Sequence, residues 1–569
     1  MDRIWLKQYP PGVPTDIDPD EYPSLREIFA EACASYGNLP AFSNFGAILT
    51  YAQLDELSRA FAAWLQRRSG LVAGDRVALM MPNLLQYPIA LVGTLRAGMV
   101  VVNVNPLYTA RELEHQLQDA GAKAIVILEN FCHVLQQVLP RTALKNVLVT
   151  RVGDLLGWPR GMAVNFVVRH VKKQIPAWSM PGAITLKSAL GSGLGLKLDP
   201  VALGPDSIAF LQYTGGTTGI AKAAMLTHRN MVANVLQATA WIKPALAPGP
   251  QRTIITALPL YHIFSLTANC LLFVRLGAKN VLITNPRDFP AFVRELRKHK
   301  FFFISGVNTL FNALLHTPGF DALDFSALRI SLGGGMAVQE VVATRWKQVT
   351  GNVLTQAWGL TETSPAACIN PMGVDFNGSI GLPIPSTDIS IRDDAGQELP
   401  PNGVGEICVF GPQLMRGYWN RPDETEKVMF GDWLRTGDIG RMDAKGFVFI
   451  EDRKKDMILV SGFNVYPNEV EEVVSSHPGV LEVAAVAQPD ENSGESVALF
   501  VVRKDPKLTA QALIEYCRAN LTGYKLPKHV YFRDELPKTN VGKIMRRTLR
   551  NELRAPHPAP APAPAAADR

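Results

Sequence analysis

The stretch "DRVALMMPNLLQYPIALVGTLRAGMVVVNVNP", Asp75 to Pro106, forces the first decision about the fold. From Val77 to Leu95 it runs nineteen residues without a charge, long enough to consider a membrane span. Pro82, Asn83, Gln86 and Pro88 break it, and it opens on a β-branched residue and meets "PN". Proline lacks the N–H a helix interior needs and clashes with the preceding turn, so the run reads as buried strand, turn and helix. "VVVNVNP" then reads as a second strand, "ARELEHQLQDAG" as a second helix and "AIVIL" as a third strand.

Such alternation implies βαβ units, a parallel sheet and helices on its faces, hence an α/β fold. "RTIITALPLY", "KNVLIT" and "FFFISGVNTLFNALLH" continue the pattern downstream. After Asn377 the chain turns to Gly-punctuated short strands, "GEICVFGP" and "GFVFIEDR", expected to form a β-rich subdomain over about 377–452. The charged run "EDRKKD" (451–456) marks a boundary, and the pattern restarts as a small α+β unit. We expect an N-terminal domain over 1–452, a C-terminal domain over 453–554, and a disordered Ala/Pro tail over 555–569.

A chain of 569 residues is too long for one core, and 47% hydrophobic with 19% charged residues is an ordinary globular balance. The net charge of +6 is small and spread out, which argues against a dedicated nucleic-acid protein but suits anionic ligands or an anionic membrane. Six scattered cysteines, without a C-x-x-C pair or His–Cys cluster, suggest a reducing compartment and no structural metal. The first residues lack an apolar h-region and cleavage site, so the expectation is cytoplasmic.

"YTGGTTGIAK" (213–222) has the means to hold an anion: glycines let N–H groups converge, threonines add hydroxyls and Lys222 supplies charge. It is not a Walker A loop, because Ile220 and Ala221 separate Gly219 from Lys222, and G-x-G-x-x-G is absent. The longer "YTGGTTGIAKAAMLTHRN" resembles the phosphate-binding signature of the acyl-adenylate-forming (ANL) superfamily. Further motifs follow in that family's order: "LPLYHIF" (258–264), "GGGM" (333–336), "WGLTET" (358–363), "RTGD" (435–438), "DRKKD" (452–456) and "LPKTNVGKIMRR" (536–547). The whole chain apart from the tail is similar to bacterial long-chain-fatty-acid–CoA ligases.

The resemblance implies a large N-terminal domain of stacked α/β sheets with a β-rich subdomain, and a small mobile α+β C-terminal domain. It also implies an acid–thiol ligase using ATP, Mg2+ and coenzyme A, acting on a long-chain fatty acid through an acyl-AMP. A medium-chain or aryl acid CoA ligase, or an acyl-AMP ligase, remains the alternative. Thr214, Gly215, Gly216, Thr217, Thr218, Gly219 and Lys222 would hold the β- and γ-phosphates, and Glu362 the magnesium. Gly334, Gly335 and Met336 would line the nucleotide pocket, with Gly359 and Thr361 beside them; Trp358, where the family usually has tyrosine, would wall the adenine. Asp438 would accept the ribose hydroxyls and Arg453 reach ribose or phosphate.

By the same resemblance Lys543 is the cation of adenylation, and Lys455 is the hinge about which the C-terminal domain turns. Ser461, Gly462 and Phe463 would then face the thiol path. Tyr261 and His262 would shape the acyl and pantetheine passage, with His262 either a gate or a base for the thiol. Ala221 and Ala223 stand where the family prefers proline and glycine, and alanine at a position needing positive φ would strain the loop and weaken nucleotide binding.

"GMAVNFVVRHVKKQ" (161–174), drawn as one helix, places Ala163, Val164, Val167, Val168 and Val171 on one side and Asn165, Arg169, Lys172 and Lys173 on the other. Two readings stand: a helix lying peripherally on an anionic membrane, or an ordinary surface helix. A homodimer stays open.

Overall fold

Alternate residues of the strand Arg76–Met80 enter different cores: Val77 and Leu79 pack in one hydrophobic cluster, Ala78 and Met80 in another. This is the period of two of a strand covered on both faces. The helix that follows, Gln86–Arg96, is buried along its whole length, so the uncharged run is core. Among the described residues no helix is long and apolar enough to cross a membrane.

The computed structural model describes residues 3–214, 221–246, 248–490 and 493–554. The chain divides into two units, Met1–Ile450 and Glu451–Arg569. In the first, Arg76–Met80 is the middle of a seven-stranded sheet ordered Ile184–Thr185, Asn146–Thr150, Ala124–Leu128, Arg76–Met80, Val100–Asn103, Ile208–Thr214, Lys222–Thr227. All neighbours are parallel except the last two strands, an antiparallel hairpin. A nine-stranded sheet has a parallel centre, Leu354–Gly359, Ile330–Gly334, Phe303–Gly306, Thr253–Thr256, Lys279–Leu282 and Pro40–Asn44, with antiparallel strands at both edges. A smaller sheet holds Asp388–Arg392, Gly405–Phe410, Trp433–Met442, Met429–Phe430 and Val448–Arg453.

The second unit is a five-stranded sheet around Val480–Asp490 and Gly494–Arg503. Val483, Ala485, Leu499 and Val501 fill a core on one face; Ala484, Val486, Ala498 and Phe500 fill another on the opposite face. Arg546 is partly buried in this unit, bonding Glu471 at 2.6 and 2.9 Å and lying 3.4 Å from Asp452. Burial lifts the Asp452 carboxyl to about 6 although Arg546 pulls the other way.

Two expectations are corrected. Ala223 carries no strain: it pairs with Tyr213 inside the regular strand Lys222–Thr227 and has no positive φ. Segment 161–174 is not one amphipathic helix: Arg160–Phe166 continues as a π-helical turn, Val167–Val171. Asn165 and Arg169, expected on the solvent side, bond inward to Gly153, Asp154 and Glu129, while Val164 packs on the core. The helical period tells which residues share a face; what the neighbouring chain offers decides which face turns in.

The hairpin's second strand passes directly into the helix His228–Ile242 through a capping box, in which Thr227 and Asn230 exchange side-chain to backbone hydrogen bonds. His228 is buried, and its Nδ1 accepts the N–H of Leu25, the first residue of helix Leu25–Tyr36, at 3.3 Å. Burial lowers its pKa to about 4, below the ordinary value of 6.5. The unfolded chain therefore binds the proton more readily, so this contribution is complete above pH 6.5 and is lost as pH falls towards 4, about 3 kcal/mol over the window. In urea titrations at pH 7 and pH 4, His228→Gln is expected to show a smaller acid loss than the unsubstituted protein; equal losses would exclude this role.

Candidate functional site

The hairpin register sets Thr214 opposite Lys222, so the two residues stand at the base of the loop between them. Gly215, Gly216, Thr217, Thr218 and Gly219 lie outside the described residues. The segment Arg416–Arg421 runs beside the second hairpin strand: Arg416 N–H donates to Met225, Met225 N–H to Gly417 and Trp419 N–H to Ala223. That pairing brings Tyr418 and, in the helix Pro422–Val428, Glu424 to the lysine. Lys222 Nζ lies 4.5 Å from the centre of the Tyr418 ring and donates to Glu424 Oε2 at 2.7 Å.

The Tyr418 hydroxyl donates in turn to Glu362 Oε1 at 2.6 Å. Burial first, and then the charge of Glu362, push the phenol's pKa up, which keeps it a donor. The bonds of Glu424 to Lys222 and then to Lys427 hold its carboxyl at about 2. Glu362 sits in the short turn Thr361–Thr363 after the strand Leu354–Gly359, and its carbonyl accepts the N–H of Met415. Cation, aromatic ring, phenol and carboxylate form one chain of contacts from Glu424 through Lys222 and Tyr418 to Glu362. An anion that takes Lys222 competes with Glu424 for it.

A second cluster lies at the carboxyl ends of the parallel strands, where open α/β sheets place their ligand crevices. Gly334 pairs in register with Ala357, next to Trp358. A Cβ on Gly334 would come within 2.9 Å of the Ala357 carbonyl and 3.3 Å of the Phe264 ring; one on Gly359 would meet the Pro365 carbonyl at 1.8 Å. Gly335, at φ +77°, takes a left-handed conformation that few other residues adopt, and Met336 packs against the same core as Trp358.

Trp358 does more than offer a flat face: its indole N–H donates to Asp438 Oδ2 at 2.9 Å. Asp438, only 3% exposed, stands on the strand Trp433–Met442 just after Gly437, whose N–H is held by Glu406. Tyr261 and His262 sit on a loop fastened from below by a buried polar relay. Tyr87 bonds Asn103, Asn103 donates to Gln212, and Gln212 donates to the carbonyl of Tyr261. His262 Nδ1 accepts the N–H of Phe264 at the start of a helix whose middle, Leu266–Leu271, is π-helical.

Lys543, Arg453, Lys455, Ser461, Gly462 and Phe463 belong to the second unit. Lys543 lies on a turn in which its carbonyl accepts the N–H of Thr539 at 2.7 Å and its N–H donates to Thr539 Oγ1 at 3.1 Å. Ser461 and Gly462, both at positive φ, are the two-residue turn of the hairpin Ile458–Val460 with Phe463–Val465. Phe463 is exposed and stacks on Tyr524 at 4.9 Å. The exposed Arg453 ends the strand Val448–Arg453, and the exposed Lys455 lies on the turn after it, where its carbonyl accepts from Arg550.

Sequence reading missed Tyr418 and Glu424. The available signal was "RGYWNRPDETE" (416–426), an aromatic pair followed by a proline-started acidic helix. Nothing in its spacing points back about 200 residues to Lys222.

The AMP-binding enzyme family model matches residues 29–419 and the AMP-binding enzyme C-terminal domain model matches 469–543. The chain belongs to this family, the acyl-adenylate-forming superfamily. It is similar to a long-chain-fatty-acid–CoA ligase of Escherichia coli O6:H1, 58% identical over 97% of this chain and 99% of the other. A long-chain-fatty-acid–CoA ligase of Haemophilus influenzae is 52% identical over 97% and 99%. Among solved structures, a benzoate CoA ligase from Burkholderia xenovorans superposes with a TM-score of 0.80 at 26% identity, covering 93% of this chain and 99% of that one.

Two substitutions separate the clusters. Trp358→Phe keeps a ring but removes the donor to Asp438, so ATP affinity is expected to fall about tenfold with the turnover rate nearly unchanged, since a hydrogen bond to a charged group contributes ~1.5–3 kcal/mol. Unchanged affinity in titration calorimetry would dismiss the indole bond. Glu424→Gln removes the carboxylate competing for Lys222, and ATP is expected to bind about threefold tighter at low salt. Weaker binding would show that Glu424 positions the lysine instead.

Proposed function

We propose that this chain activates long-chain fatty acids with ATP and transfers the acyl group to coenzyme A, releasing AMP and pyrophosphate. The observation that carries the reading is the 58% identity, over nearly the full length of both chains, to a long-chain-fatty-acid–CoA ligase. In the first step a carboxylate oxygen of the acid bonds to the α-phosphorus and the bond to pyrophosphate breaks. In the second, the thiol sulfur attacks the acyl carbonyl, the thiol proton is lost and AMP leaves.

The contacts support a division of labour. Lys222 and Thr214, at the loop base, hold the β- and γ-phosphates, with Glu424 retaining the lysine until they arrive. Asp438, oriented by Trp358, accepts the ribose hydroxyls; Gly334 and Gly335 let the base approach the backbone. The half-buried Glu362, one oxygen bonded by Tyr418, is a hard carboxylate suited to Mg2+ that keeps waters and phosphate oxygens. The metal would neutralise phosphate charge.

The second unit supplies Lys543 to the adenylation step and the hinge at Lys455 for the change to thioesterification. We assign residues 1–452 to nucleotide and acyl binding, with 377–452 as a β-rich subdomain, and 453–554 to a mobile catalytic domain; the Ala/Pro stretch 555–569 lies outside the described residues. In this reading Arg453 serves the nucleotide, Ser461, Gly462 and Phe463 serve the thiol path, and Tyr261 and His262 shape the acyl and pantetheine passage. The six cysteines are buried and none is in a disulfide, which suits work in the cytoplasm. Long-chain acids partition into bilayers, so peripheral contact with an anionic membrane belongs to the same reading.

Palmitate-dependent ATP–pyrophosphate exchange tests the reaction class; exchange with benzoate but not palmitate would overturn the substrate assignment. Lys543→Ala is expected to lose exchange by at least about a hundredfold while still forming thioester from supplied palmitoyl-AMP, because its charge acts only on the first transition state. Lys455→Pro should show the reverse pattern, with exchange intact and overall thioester formation lost. Equal loss of both half-reactions in either variant would argue against separate roles.

A further inference from the structure

In the segment 158–173 of the first unit Asn165 and Arg169 bond to the protein and Val164 packs on its core, while Trp158, Met162, Phe166 and Val171 are exposed. The inner face is tied down closely. Gly161 and Gly153 touch through their backbones, a Cβ on either coming within about 2.2 Å of the other's carbonyl. Asn165 Oδ1 accepts the N–H of Gly153 at 2.7 Å, and its amide donates to Asp154 at 3.3 Å. Arg169 pairs with Glu129, a carboxylate 1% exposed that Arg151 also approaches at 3.2 Å.

The outer face then presents Trp158 (84% exposed), Met162 (65%), Phe166 (59%) and Val171 (65%), with Val167 between them. Met162 and Phe166 are four residues apart on one side of the helix, and the Phe166 ring lies 4.9 Å from that of His170. A tethered helix with its large apolar side chains in water is a contact surface awaiting a partner. Its charge says which. From Leu155 to Leu198 there is no aspartate or glutamate but six basic residues: Arg160, Arg169, Lys172, Lys173, Lys187 and Lys197. Arg160, Lys172 and Lys173 are exposed along this segment.

We propose that this face docks on an anionic bilayer, with Trp158, Met162, Phe166 and Val171 entering the boundary between headgroups and acyl chains and Arg160, Lys172 and Lys173 against the headgroups. Tryptophan favours that boundary, and apolar insertion beside lysine and arginine is the combination that holds a peripheral helix at an anionic interface. The proposal rests on the membrane contact included in the functional reading and names the residues that make it; it does not depend on which acid is activated. Rigid anchoring through Gly153, Asn165 and Arg169 fixes the orientation of the first unit on the surface.

Flotation of the full chain with phosphatidylglycerol–phosphatidylcholine vesicles, and with phosphatidylcholine alone, tests it. The unsubstituted protein is expected to float with the anionic vesicles and to be released by salt. Trp158→Ser/Met162→Gln/Phe166→Ser is expected to bind them at least about tenfold more weakly, while its rate with octanoate in vesicle-free buffer stays the same. Lys172→Glu/Lys173→Glu, which leaves the apolar set alone, should lose anionic binding even if the triple variant fails to fold.

No vesicle binding by the unsubstituted protein would refute membrane contact altogether, leaving the ligase reading intact. Normal binding by both variants would leave membrane contact standing and overturn this surface. If the triple variant still bound vesicles but changed from dimer to monomer in ultracentrifugation, the face would be an interface between copies of the chain, and the proposal would fall.

Discussion

The antiparallel pairing of Ile208–Thr214 with Lys222–Thr227 is the constraint on which the rest of the site depends. The seven-stranded sheet is otherwise parallel, and a parallel strand needs a long crossover to return, whereas an antiparallel neighbour needs only a short loop. That loop is where the chain concentrates its glycines and threonines. The register puts Thr214 across from Lys222, and the far edge of the second strand pairs with the segment that carries Tyr418. The capping box at Thr227 then converts the strand into a buried helix, so the hairpin is held at its edge and at its end.

A site that binds a polyanion must satisfy its own charges in the protein that surrounds it. Here Lys222 is matched by Glu424, Glu362 by the Tyr418 hydroxyl and Asp438 by the Trp358 indole. Two of these donors, the Tyr418 phenol and the Trp358 indole, are neutral. The ion pair is the exception, and because it is partly solvated its exchange for phosphate is not opposed by a deep desolvation cost. In the second unit Arg546 is the opposite case, enclosed between Glu471 and Asp452 three residues beyond Lys543, where it joins elements from both ends of that unit.

Much of the fold was legible in advance. Strands and helices between Asp75 and Leu128 fall where the apolar runs and the prolines put them, because both are local signals. The family was legible from ordered motifs, which needed no geometry. The partners of the site residues were not: Trp358 and Asp438 are 80 positions apart, Lys222 and Glu424 are 202, and the pairings exist only through sheet order. The doubt over Ala223 dissolved for the same reason, since a residue beside a glycine-rich loop turned out to be a regular strand residue across from Tyr213.

By itself, then, the sequence determined the alternation of elements, which follows from spacing along the chain, and, through ordered motifs that resemble a known family, the class of chemistry and the side chains available for it. Only the tertiary structure decided which of those side chains meet, and which face of the 160–171 segment turns outward. Helical periodicity is blind to that choice: Asn165 and Arg169 go inward because Gly153, Asp154 and Glu129 wait there with groups that must be paired once buried, and Met162, Phe166 and Val171 are left outside as a consequence.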